Sequence, residues 1–482
     1  MPDLRAILMI IGLLLSTLGC AMMIPGLYEL ALGDTDWIVF ASCAALTLFV
    51  GVLLTVANRT DDVALSIKQA FLLTTLTWVA LVAFSALPFV WSGSGASYTD
   101  AFFEAMSGLT TTGATVFTGL ENAPPGILLW RAILQWLGGI GIIVMAIAVL
   151  PMLQVGGMQL FRMESSDTSE KILPRTTEIA NRIIALYGGL TVACVAGYLL
   201  AGMDMFDAVA HAMTTIATGG FSTYDASIGH FDSVNVEMVA VTFMLLGSLP
   251  FVLMLQAIVG RWTPLLRDSQ VRWFFSFVAV AVLLAWLAQS NVEQQLGALE
   301  FRDATFNVVS IITGTGYATR AYDTWSNFSA MLFMVIMFIG GCAGSTSCGL
   351  KVFRFQVLYE TIRHRVLTFA QPNRVVIATF NGKPMEEAVS RAVMNFVFLF
   401  LLSFGVIAGL LSLYELDSVT ALSASASALA NVGPGLGPIV GPAGTYQDLP
   451  DAVKWILSFA MLLGRLEILT VLVLFTPIYW RS

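Results

Sequence analysis

Four short polar stretches interrupt this chain at long and similar intervals, and each lies between apolar segments. They read T-T-T-G-A-T-V at residues 110–116, I-A-T-G-G-F-S at 216–222, I-I-T-G-T-G-Y at 311–317 and L-A-N-V-G-P-G at 429–435. When Gly113, Gly219, Gly314 and Gly433 are taken as equivalent, the successive intervals are 106, 95 and 119 residues. Solenoid proteins repeat every 20 to 50 residues or so, which excludes that architecture here. The pattern indicates four copies of one unit, each carrying one polar loop.

The composition places these loops in a membrane protein. Of the 482 residues, 57% are hydrophobic and only 11% are charged, and the mean hydropathy is +0.83. Soluble domains carry about 25% charged residues. The chain therefore reads as an integral membrane protein with little room for a separate soluble domain. The first apolar stretch, residues 7–31, is followed by further spans, so we expect it to be retained as a helix.

The order of apolar segments predicts the architecture. Two spans, residues 7–31 and 37–56, precede the first loop, and each can cross a hydrocarbon core of about 30 Å. Then an apolar span, a short segment, a polar loop and a second span recur four times, and the short segments suit re-entrant helices. The sequence thus predicts an all-α integral membrane protein: two N-terminal transmembrane helices plus four pseudo-repeats of helix, pore helix, filter loop and helix around one central pore. This gives ten spans, with domain boundaries at residues 1–62, 63–160, 161–262, 263–372 and 373–482.

An aspartate stands near the start of each short segment: Asp100, Asp207, Asp303 and Asp417. An aspartate carboxylate accepts hydrogen bonds from the free N–H groups at the start of a helix. We therefore expect these residues to be helix N-caps.

Basic residues are distributed unequally along this order. Of the 23 Lys and Arg residues, 18 lie at the termini or between the repeats, whereas the loop side holds only Arg131, Arg302, Arg320 and Lys454. The positive-inside rule then places both termini in the cytoplasm and the loops outside. The loop side is also rich in Asp and Glu, and an acidic mouth concentrates cations.

The chemistry of the loops favours cation transport. Non-helical backbone at membrane depth is tolerated where it is buried or lines a wet cavity. Four such loops around one axis would present rings of carbonyl oxygens, which can replace the hydration shell of K⁺. Glycine allows positive φ at the turn, and the C-terminal ends of the short helices favour a cation. For a single loop, an ordinary glycine helix cap explains the sequence equally well; four matched copies favour a filter.

The motifs T-T-G-A-T, T-G-G-F-S, T-G-T-G-Y and N-V-G-P-G together resemble those of the Trk/Ktr/HKT superfamily of potassium transporters, most closely its TrkH-type bacterial membrane subunits. The resemblance covers essentially the whole chain. It implies K⁺ as the transported ion, no organic cofactor on this chain, and a location in the bacterial inner membrane. The implied ligands are the carbonyl groups of Thr111, Thr112, Ala217, Thr218, Ile312, Thr313, Asn431 and Val432. Superfamily members with Ser at the first glycine lean toward Na⁺, so Gly113 favours K⁺. The fourth loop departs most from the pattern, and its ligands are expected to be the least regular.

Two features below the loops are gate candidates. The segment of residues 340–349, G-G-C-A-G-S-T-S-C-G, interrupts the second span of the third repeat and is too rich in glycine for a straight helix. One interpretation is close helix packing through Gly340 and Gly344. The other is an intramembrane gate loop, which the resemblance supports. The gate residues would be Gly340, Gly341, Gly344, Ser345, Thr346, Ser347 and Gly349.

Arg465 is the second gate candidate, because it lies near the middle of an apolar span. A charge at that depth is costly and marks a functional site by default. Glu467, two residues on, points to another side of the helix and is not expected to neutralise Arg465. The alternatives are a buried ion pair with another repeat and a pore-facing barrier to K⁺, the role that the resemblance implies.

The sequence also suggests partners. Residues 351–391 carry seven Lys or Arg residues on the predicted cytoplasmic side, which the positive-inside rule explains in part. The resemblance implies a cytosolic nucleotide-binding ring subunit and a homodimer in membrane lipid. This chain has no G-x-G-x-x-G fingerprint, so the nucleotide would bind to a separate protein. No nucleic-acid partner is expected.

Two other classes fit less well. A secondary transporter of a small solute can bind its substrate at broken helices, but such proteins usually have two related halves and not four. An enzyme needs a catalytic set. The three histidines are scattered, and the five cysteines, Cys20, Cys43, Cys194, Cys342 and Cys348, form no C-x-x-C pair and suit buried apolar positions. We therefore expect a transporter and not an enzyme.

Overall fold

The structure, a computed structural model, describes residues 4–60, 65–93, 95–148, 172–293, 297–373 and 377–481. Most of these residues are helical. The one sheet within the described ranges is a small antiparallel hairpin of β1, Thr379–Phe380, and β2, Lys383–Pro384. The prediction of a helical membrane protein is confirmed.

The chain opens with two long helices that pack tightly against each other. They are α1, Arg5–Leu32, and α2, Trp37–Ala57. Gly12 and Gly51 face each other across this contact: a Cβ added to Gly12 would lie 2.6 Å from the carbonyl oxygen of Gly51. Glycine at both positions lets the two backbones approach, as is common between transmembrane helices.

The order of long helix, short helix, loop and further helix then occurs four times. The first copy contains α3 (Ile67–Ser85), α4 (Leu87–Trp91), α5 (Tyr98–Leu109) and α6 (Pro125–Ala148); the second contains α7 (Ile172–Leu200), α8 (Met205–Ile216), α9 (Val234–Gly247) and α10 (Phe251–Ile258). The third contains α11 (Thr263–Arg267), α12 (Ser269–Glu293), α13 (Ala298–Ile312), α14 (Asn327–Ile336) and α15 (Val352–Ala370). The fourth contains α16 (Glu387–Ser412), α17 (Ser418–Ala430), α18 (Asp451–Arg465), α19 (Ile468–Leu472) and α20 (Pro477–Arg481). Short 3₁₀ turns occur at Leu120–Asn122, Ser227–Phe231, Tyr322–Thr324 and Val473–Phe475. The expected boundaries near residues 62 and 160, and the basic residues Arg162, Lys171 and Arg374, lie outside the described residues.

The spans are less regular than ten straight helices. Within the described residues, seven helices are long and apolar enough to cross a membrane, and up to nine when two bent pairs each count as one span. Helices α9 and α10 meet at 105° just before Phe251, where Pro250 cannot continue the hydrogen-bond ladder. The segment after α18 bends by 115°, and Glu467 has a positive φ of 64° there. The predicted second span of the third repeat, residues 328–349, is helical only as far as Ile336.

The four short helices are largely buried. Helices α5, α8, α13 and α17 have 12, 12, 15 and 13 residues, close to the expected lengths. The prediction that an aspartate caps each of them is right only for Asp417, whose side chain accepts from Thr420 N. The other three helices begin earlier, at Tyr98, Met205 and Ala298. Asp100 and Asp207 therefore lie inside the first turns, where a carboxylate still interacts favourably with the helix dipole, whereas Asp303 lies in the second turn of α13.

We predict that the contact of Gly12 with Gly51 is needed for the stability of the first helix pair. A Gly12→Leu substitution would drive a side chain into the backbone of α2, and overpacking of this kind costs about 1–3 kcal/mol. A Gly405→Leu substitution is the matched control, because a Cβ on Gly405 in α16 would meet nothing within 4 Å. Thermal unfolding of the purified protein in detergent should show a lower midpoint for Gly12→Leu only. Equal midpoints would contradict the prediction.

Candidate functional site

The four polar loops share one backbone conformation. Each short helix is followed by a residue with positive φ: Thr111 (52°), Thr218 (49°), Gly314 (71°) and Asn431 (53°). Two residues later each loop has a glycine with positive φ: Gly113 (87°), Gly220 (81°), Gly316 (85°) and Gly433 (108°). A residue with a side chain rarely adopts this conformation, so glycine at the second position follows from the backbone.

The same register is seen in the hydrogen bonds that end the helices. In each loop the N–H group between the two positive-φ residues donates to a carbonyl five residues earlier. These bonds run from Thr112 to Ser107 (2.8 Å), Gly219 to Thr214 (2.9 Å), Thr315 to Ser310 (2.9 Å) and Val432 to Ser427 (3.0 Å). This is a helix C-cap with a left-handed residue. The cap interpretation and the filter interpretation are therefore compatible, because each loop begins as a cap.

This register corrects the alignment made from sequence. Loops 2 and 3, residues 216–222 and 311–317, each contain two glycines, and it is the second glycine of each, Gly220 and Gly316, that matches Gly113 and Gly433. Gly219 and Gly314 are not equivalent to them. Two of the expected ligands lie at the ends of helices as a result. Ala217 is a helical C-cap with φ −70°, and Ile312 is the last residue of α13.

The loop glycines bring the four loops together in a closed cycle. A Cβ added to Gly433 would lie 2.7 Å from the carbonyl oxygen of Thr112, and the other three glycines are placed even more tightly. Each loop glycine contacts one backbone carbonyl oxygen of another loop. The pairs are Gly113 with the oxygen of Gly219, Gly220 with the oxygen of Thr315, Gly316 with the oxygen of Val432, and Gly433 with the oxygen of Thr112. Each oxygen belongs to the residue just before the next loop's glycine. A Cβ on Gly113 would also lie 3.5 Å from the oxygen of Thr315, which is two loops away.

The fourth loop follows the same backbone path as the others, although it was expected to fit least well. Its difference lies in a side chain. Asn431 Nδ2 donates to Thr112 Oγ1 at 2.9 Å and to the Met461 carbonyl at 3.0 Å. The fourth loop is thereby attached to the first. It differs from the other loops in the side chain that holds it in place and not in its backbone conformation.

Hydrogen bonds outside the loops join the copies in the same cyclic order. They run from Gly119 N to Asp225 Oδ2 (2.7 Å), Gly229 N to Ala318 O (3.1 Å), Gly437 N to Asp323 Oδ2 (2.9 Å) and Tyr446 N to Thr115 O (2.9 Å). Lys454 adds an ion pair to Asp100 at 2.6 Å. Burial acts to raise the pKa of the Asp100 carboxyl, but hydrogen bonds from Lys454 and Ser97 outweigh it, and the pKa lies below its ordinary value.

The glycine-rich segment, residues 340–349, contacts the loops and is not helical. Gly340, Gly344 and Gly349 all have positive φ, so the interpretation as a packed helix is wrong. Thr346 Oγ1 donates to the carbonyls of Gly247 (2.9 Å) and Ile216 (3.1 Å), at the ends of α9 and α8.

The rest of the segment is held in the same way. Ser347 Oγ donates to the Thr313 carbonyl (2.6 Å), Gly341 N donates to Ser347 Oγ (2.8 Å), and Ser345 Oγ donates to the Cys342 carbonyl. The segment is thus fixed against the starts of the second and third loops.

Arg465 ends α18 and is 97% buried against this segment. Its Nη2 donates to the Gly138 carbonyl at 2.8 Å, and its Nη1 points to Cys348 Sγ and the Thr346 carbonyl. No carboxylate in the described part of the chain lies within 4.0 Å of its guanidinium. The interpretation of Arg465 as one half of a buried ion pair is therefore wrong for these residues. It is a buried cation bound by neutral oxygens and a thiol.

Glu467 has a different partner, which the sequence did not indicate. Arg354, counted as a cytoplasmic basic residue, is 99% buried and donates to both oxygens of Glu467 at 2.6 and 2.7 Å. Its guanidinium also lies 3.7 Å from the ring centroid of Phe396. Arg354 lies three residues after Lys351, just beyond the glycine-rich segment. Nothing in the neighbouring sequence distinguishes it from a solvent-exposed arginine.

The sequence also did not indicate the buried contacts of three polar residues behind loops 1 and 2. Arg131 and Glu104 form a buried ion pair (Nε to Oε1, 2.8 Å), and Gln135 Nε2 donates to the Gly219 carbonyl at 2.6 Å. Arg131 had been counted as a basic residue of the loop side. Its place within the apolar span of residues 126–150 was an available signal, because a charge there needs a buried partner.

Comparisons with known proteins agree with this geometry. The sequence model of the TrkH family, described as cation transport protein, matches residues 38–481. The chain is 44% identical to the Trk system potassium uptake protein TrkI of Halomonas elongata, over 99% of this chain and 97% of that protein. It is 39% identical to the Trk system potassium uptake protein TrkH of Escherichia coli K12, over 99% of both chains. The crystal structure of the potassium transporter TrkH from Vibrio parahaemolyticus superposes with a TM-score of 0.92 at 36% identity, covering 99% of this chain and 100% of the other.

We predict that the loop glycines cannot carry a side chain even where the strain of positive φ is tolerated. Ala at Gly220 costs about 1–2 kcal/mol for its φ of 81° and a further 1–3 kcal/mol or so for its collision with the Thr315 carbonyl. Gly119→Ala is the matched control, because Gly119 has φ 69° and its Cβ would meet nothing within 4 Å. Gly220→Ala should therefore lower the thermal unfolding midpoint clearly more than Gly119→Ala. A similar shift in both variants would show that the carbonyl contact is unimportant.

Proposed function

The chain belongs to the TrkH family of cation transport proteins, and we propose that it takes up K⁺ across a bacterial inner membrane through a pore at the centre of its four loops. The observation that carries this proposal is the closed cycle of loop glycines and carbonyl oxygens. Four carbonyls at the same position of four loops face one another's glycines, which is the arrangement that a ring of ion ligands requires.

The proposed ligands are backbone carbonyls at the two positions before each loop glycine. In the register of the backbone these belong to Thr111 and Thr112, Thr218 and Gly219, Gly314 and Thr315, and Asn431 and Val432. Gly219 thus replaces Ala217 in the set expected from sequence, and Gly314 and Thr315 replace Ile312 and Thr313. Carbonyl oxygens have two lone pairs, so the Gly219 oxygen can accept from Gln135 and still face an ion.

In this proposal the four copies are pseudo-repeats around the pore. The C-terminal ends of α5, α8, α13 and α17 then point toward it, and their partial negative charge lowers the energy of a cation there. Both termini would lie in the cytoplasm with the loops outside, as the distribution of Lys and Arg indicates.

The glycine-rich segment and Arg465 are the proposed gate. Thr346 and Ser347 attach the segment to the carbonyls at the inner ends of the second and third loops, and Arg465 is attached to the segment. A buried guanidinium under the filter opposes the passage of K⁺ by like-charge repulsion. Opening then requires that the segment release these carbonyls and that Arg465 move with it.

Regulation is proposed to come from a separate protein. The related proteins are named as parts of a Trk system, and the positively charged cytoplasmic segment that includes α15 offers a surface for a nucleotide-binding ring subunit. We also propose that two copies of this chain associate as a homodimer in the lipid bilayer.

Rescue of growth at low K⁺ tests the proposed function. An uptake-deficient bacterium should grow when it expresses this chain together with a Trk-type ring subunit. A Gly113→Ser variant should lose selectivity for K⁺ over Na⁺, because its side chain would collide with the Gly219 carbonyl. Gly119→Ser is the control and should rescue like the wild type. No rescue by the wild type, at matched protein levels, would contradict the proposal.

Arg465→Ala tests the gate. Without the guanidinium, K⁺ flux into liposomes in the absence of a ring subunit should rise by about tenfold, the factor that corresponds to about 1.4 kcal/mol of barrier. Arg465→Lys keeps the charge and should keep the flux low. Unchanged or lower flux in Arg465→Ala, with equal amounts of reconstituted protein, would show that Arg465 is not a barrier.

A further inference from the structure

The seam between loops 1 and 2 contains an ion pair that touches both loops. Arg131 on α6 and Glu104 on α5 are both almost fully buried, and Arg131 Nε lies 2.8 Å from Glu104 Oε1. Neither residue belongs to a loop. The pair is electrically neutral as a whole, so it does not act by repelling or attracting an ion in the way Arg465 is proposed to act.

Each charged group of the pair also forms hydrogen bonds with the loops. Arg131 Nη1 donates to the Ser222 carbonyl at 2.7 Å, two residues after Gly220, and Nη2 lies 3.2 Å from Thr115 Oγ1, two residues after Gly113. Glu104 accepts from the same Thr115 hydroxyl at 2.9 Å. Because the guanidinium is planar and rigid, it fixes the distance between the two loops.

The contacts continue along the loops in both directions. Val116 N donates to Glu104 Oε2 at 2.9 Å, and the Phe221 ring centroid lies 4.1 Å from the Arg131 guanidinium. One turn below Arg131, Gln135 donates to the Gly219 carbonyl at 2.6 Å and accepts from Phe221 N at 3.0 Å. The polar cluster of Glu104, Arg131 and Gln135 therefore reaches a carbonyl of the ring itself.

The corresponding positions in two other copies carry apolar side chains. Three glycines, Gly138, Gly247 and Gly464, occupy equivalent positions. Each packs against the backbone carbonyl of a residue that lies four positions before a loop glycine. Seven residues before them stand Arg131, Ala240 and Leu457, and three residues before them stand Gln135, Met244 and Met461. The second and fourth copies thus lack this ionic brace, which is therefore not a requirement of the fold.

We propose that Glu104 and Arg131 are positioning residues that set the spacing of loops 1 and 2 and so contribute to the selectivity for K⁺ over the smaller Na⁺. The proposal rests on the proposed function. Selectivity depends on the number of carbonyl ligands and on how freely they can close around an ion. When the brace is weakened, the two loops are free to approach a smaller ion, and the discrimination between the ions falls.

The test measures K⁺ and Na⁺ flux into liposomes that contain the purified full-length protein together with a Trk-type ring subunit. Arg131→Lys keeps the charge but loses the forked geometry, Glu104→Gln loses the charge, and Thr115→Val removes only the shared hydroxyl. We expect the K⁺/Na⁺ flux ratio to fall by about fivefold in the first two variants, the factor that one lost hydrogen bond is worth, and by less in Thr115→Val.

The pair of Arg302 and Glu237 provides the matched control. It is another well-aligned ion pair (2.7 and 2.8 Å) that joins α13 to α9, and the described contacts of Arg302 go to Glu237 and Asp232 and not to a loop. Arg302→Lys and Glu237→Gln should leave the flux ratio unchanged. A merely structural role of the loop-side pair would make the two sets of variants behave alike.

The outcomes separate this proposal from the proposed function. Absence of K⁺ flux through the wild type in the presence of the ring subunit contradicts the proposed function. A selective wild type with folded variants that keep the same ratio contradicts the positioning role. If the two charge variants do not fold, Thr115→Val provides the test, because it leaves no buried charge without a partner. An unchanged K⁺/Na⁺ flux ratio in Thr115→Val overturns the proposal.

Discussion

Backbone carbonyls outside helices are stable at membrane depth only where other groups of the protein surround and satisfy them. In the part of the chain that the structure describes, the four loops and the glycine-rich segment are stretches of this kind, and they pack against one another. Each loop glycine leaves room for the carbonyl of the next loop, while the segment contributes hydroxyl donors from Thr346 and Ser347. The long helices, including the tightly packed α1 and α2, form the shell within which this arrangement is kept.

The four copies share a backbone but divide the remaining tasks among their side chains. The residue after Gly464 is Arg465, whereas the equivalent positions after Gly138 and Gly247 hold Gly139 and Ser248. The first copy carries the ionic brace, the third carries the broken helix, and the fourth carries Asn431 and the buried guanidinium. The recurring order of elements therefore supplies the closed cycle of loops, and different residues at equivalent sites supply the side-chain contacts that distinguish the copies.

Much of this was visible in the sequence, and the errors have physical causes. Apolar length and the fourfold recurrence of a polar loop predicted the helical membrane architecture and the elements of the site. The register of loops 2 and 3 was wrong because T-G-G and T-G-T-G each offer two glycines, and only φ and packing distinguish the one next to a carbonyl. Three of the four expected aspartate caps failed because the helices start further upstream. The buried partners of Arg131 and Arg354 depend on contacts across many residues, which local patterns do not contain.

The closing contact of the cycle also has a consequence for biosynthesis. Gly433 meets the carbonyl of Thr112, so the two ends of the ring are separated by more than 300 residues of chain. During translation the first three loops emerge while this contact is still missing, and the edges of the first and third loops remain open. The ring is complete only after the last quarter of the chain has entered the membrane. Until then the newly made protein holds three of the four loops, and the Thr112 carbonyl has no loop glycine beside it. In this period the chain is most exposed to misassembly and to quality control.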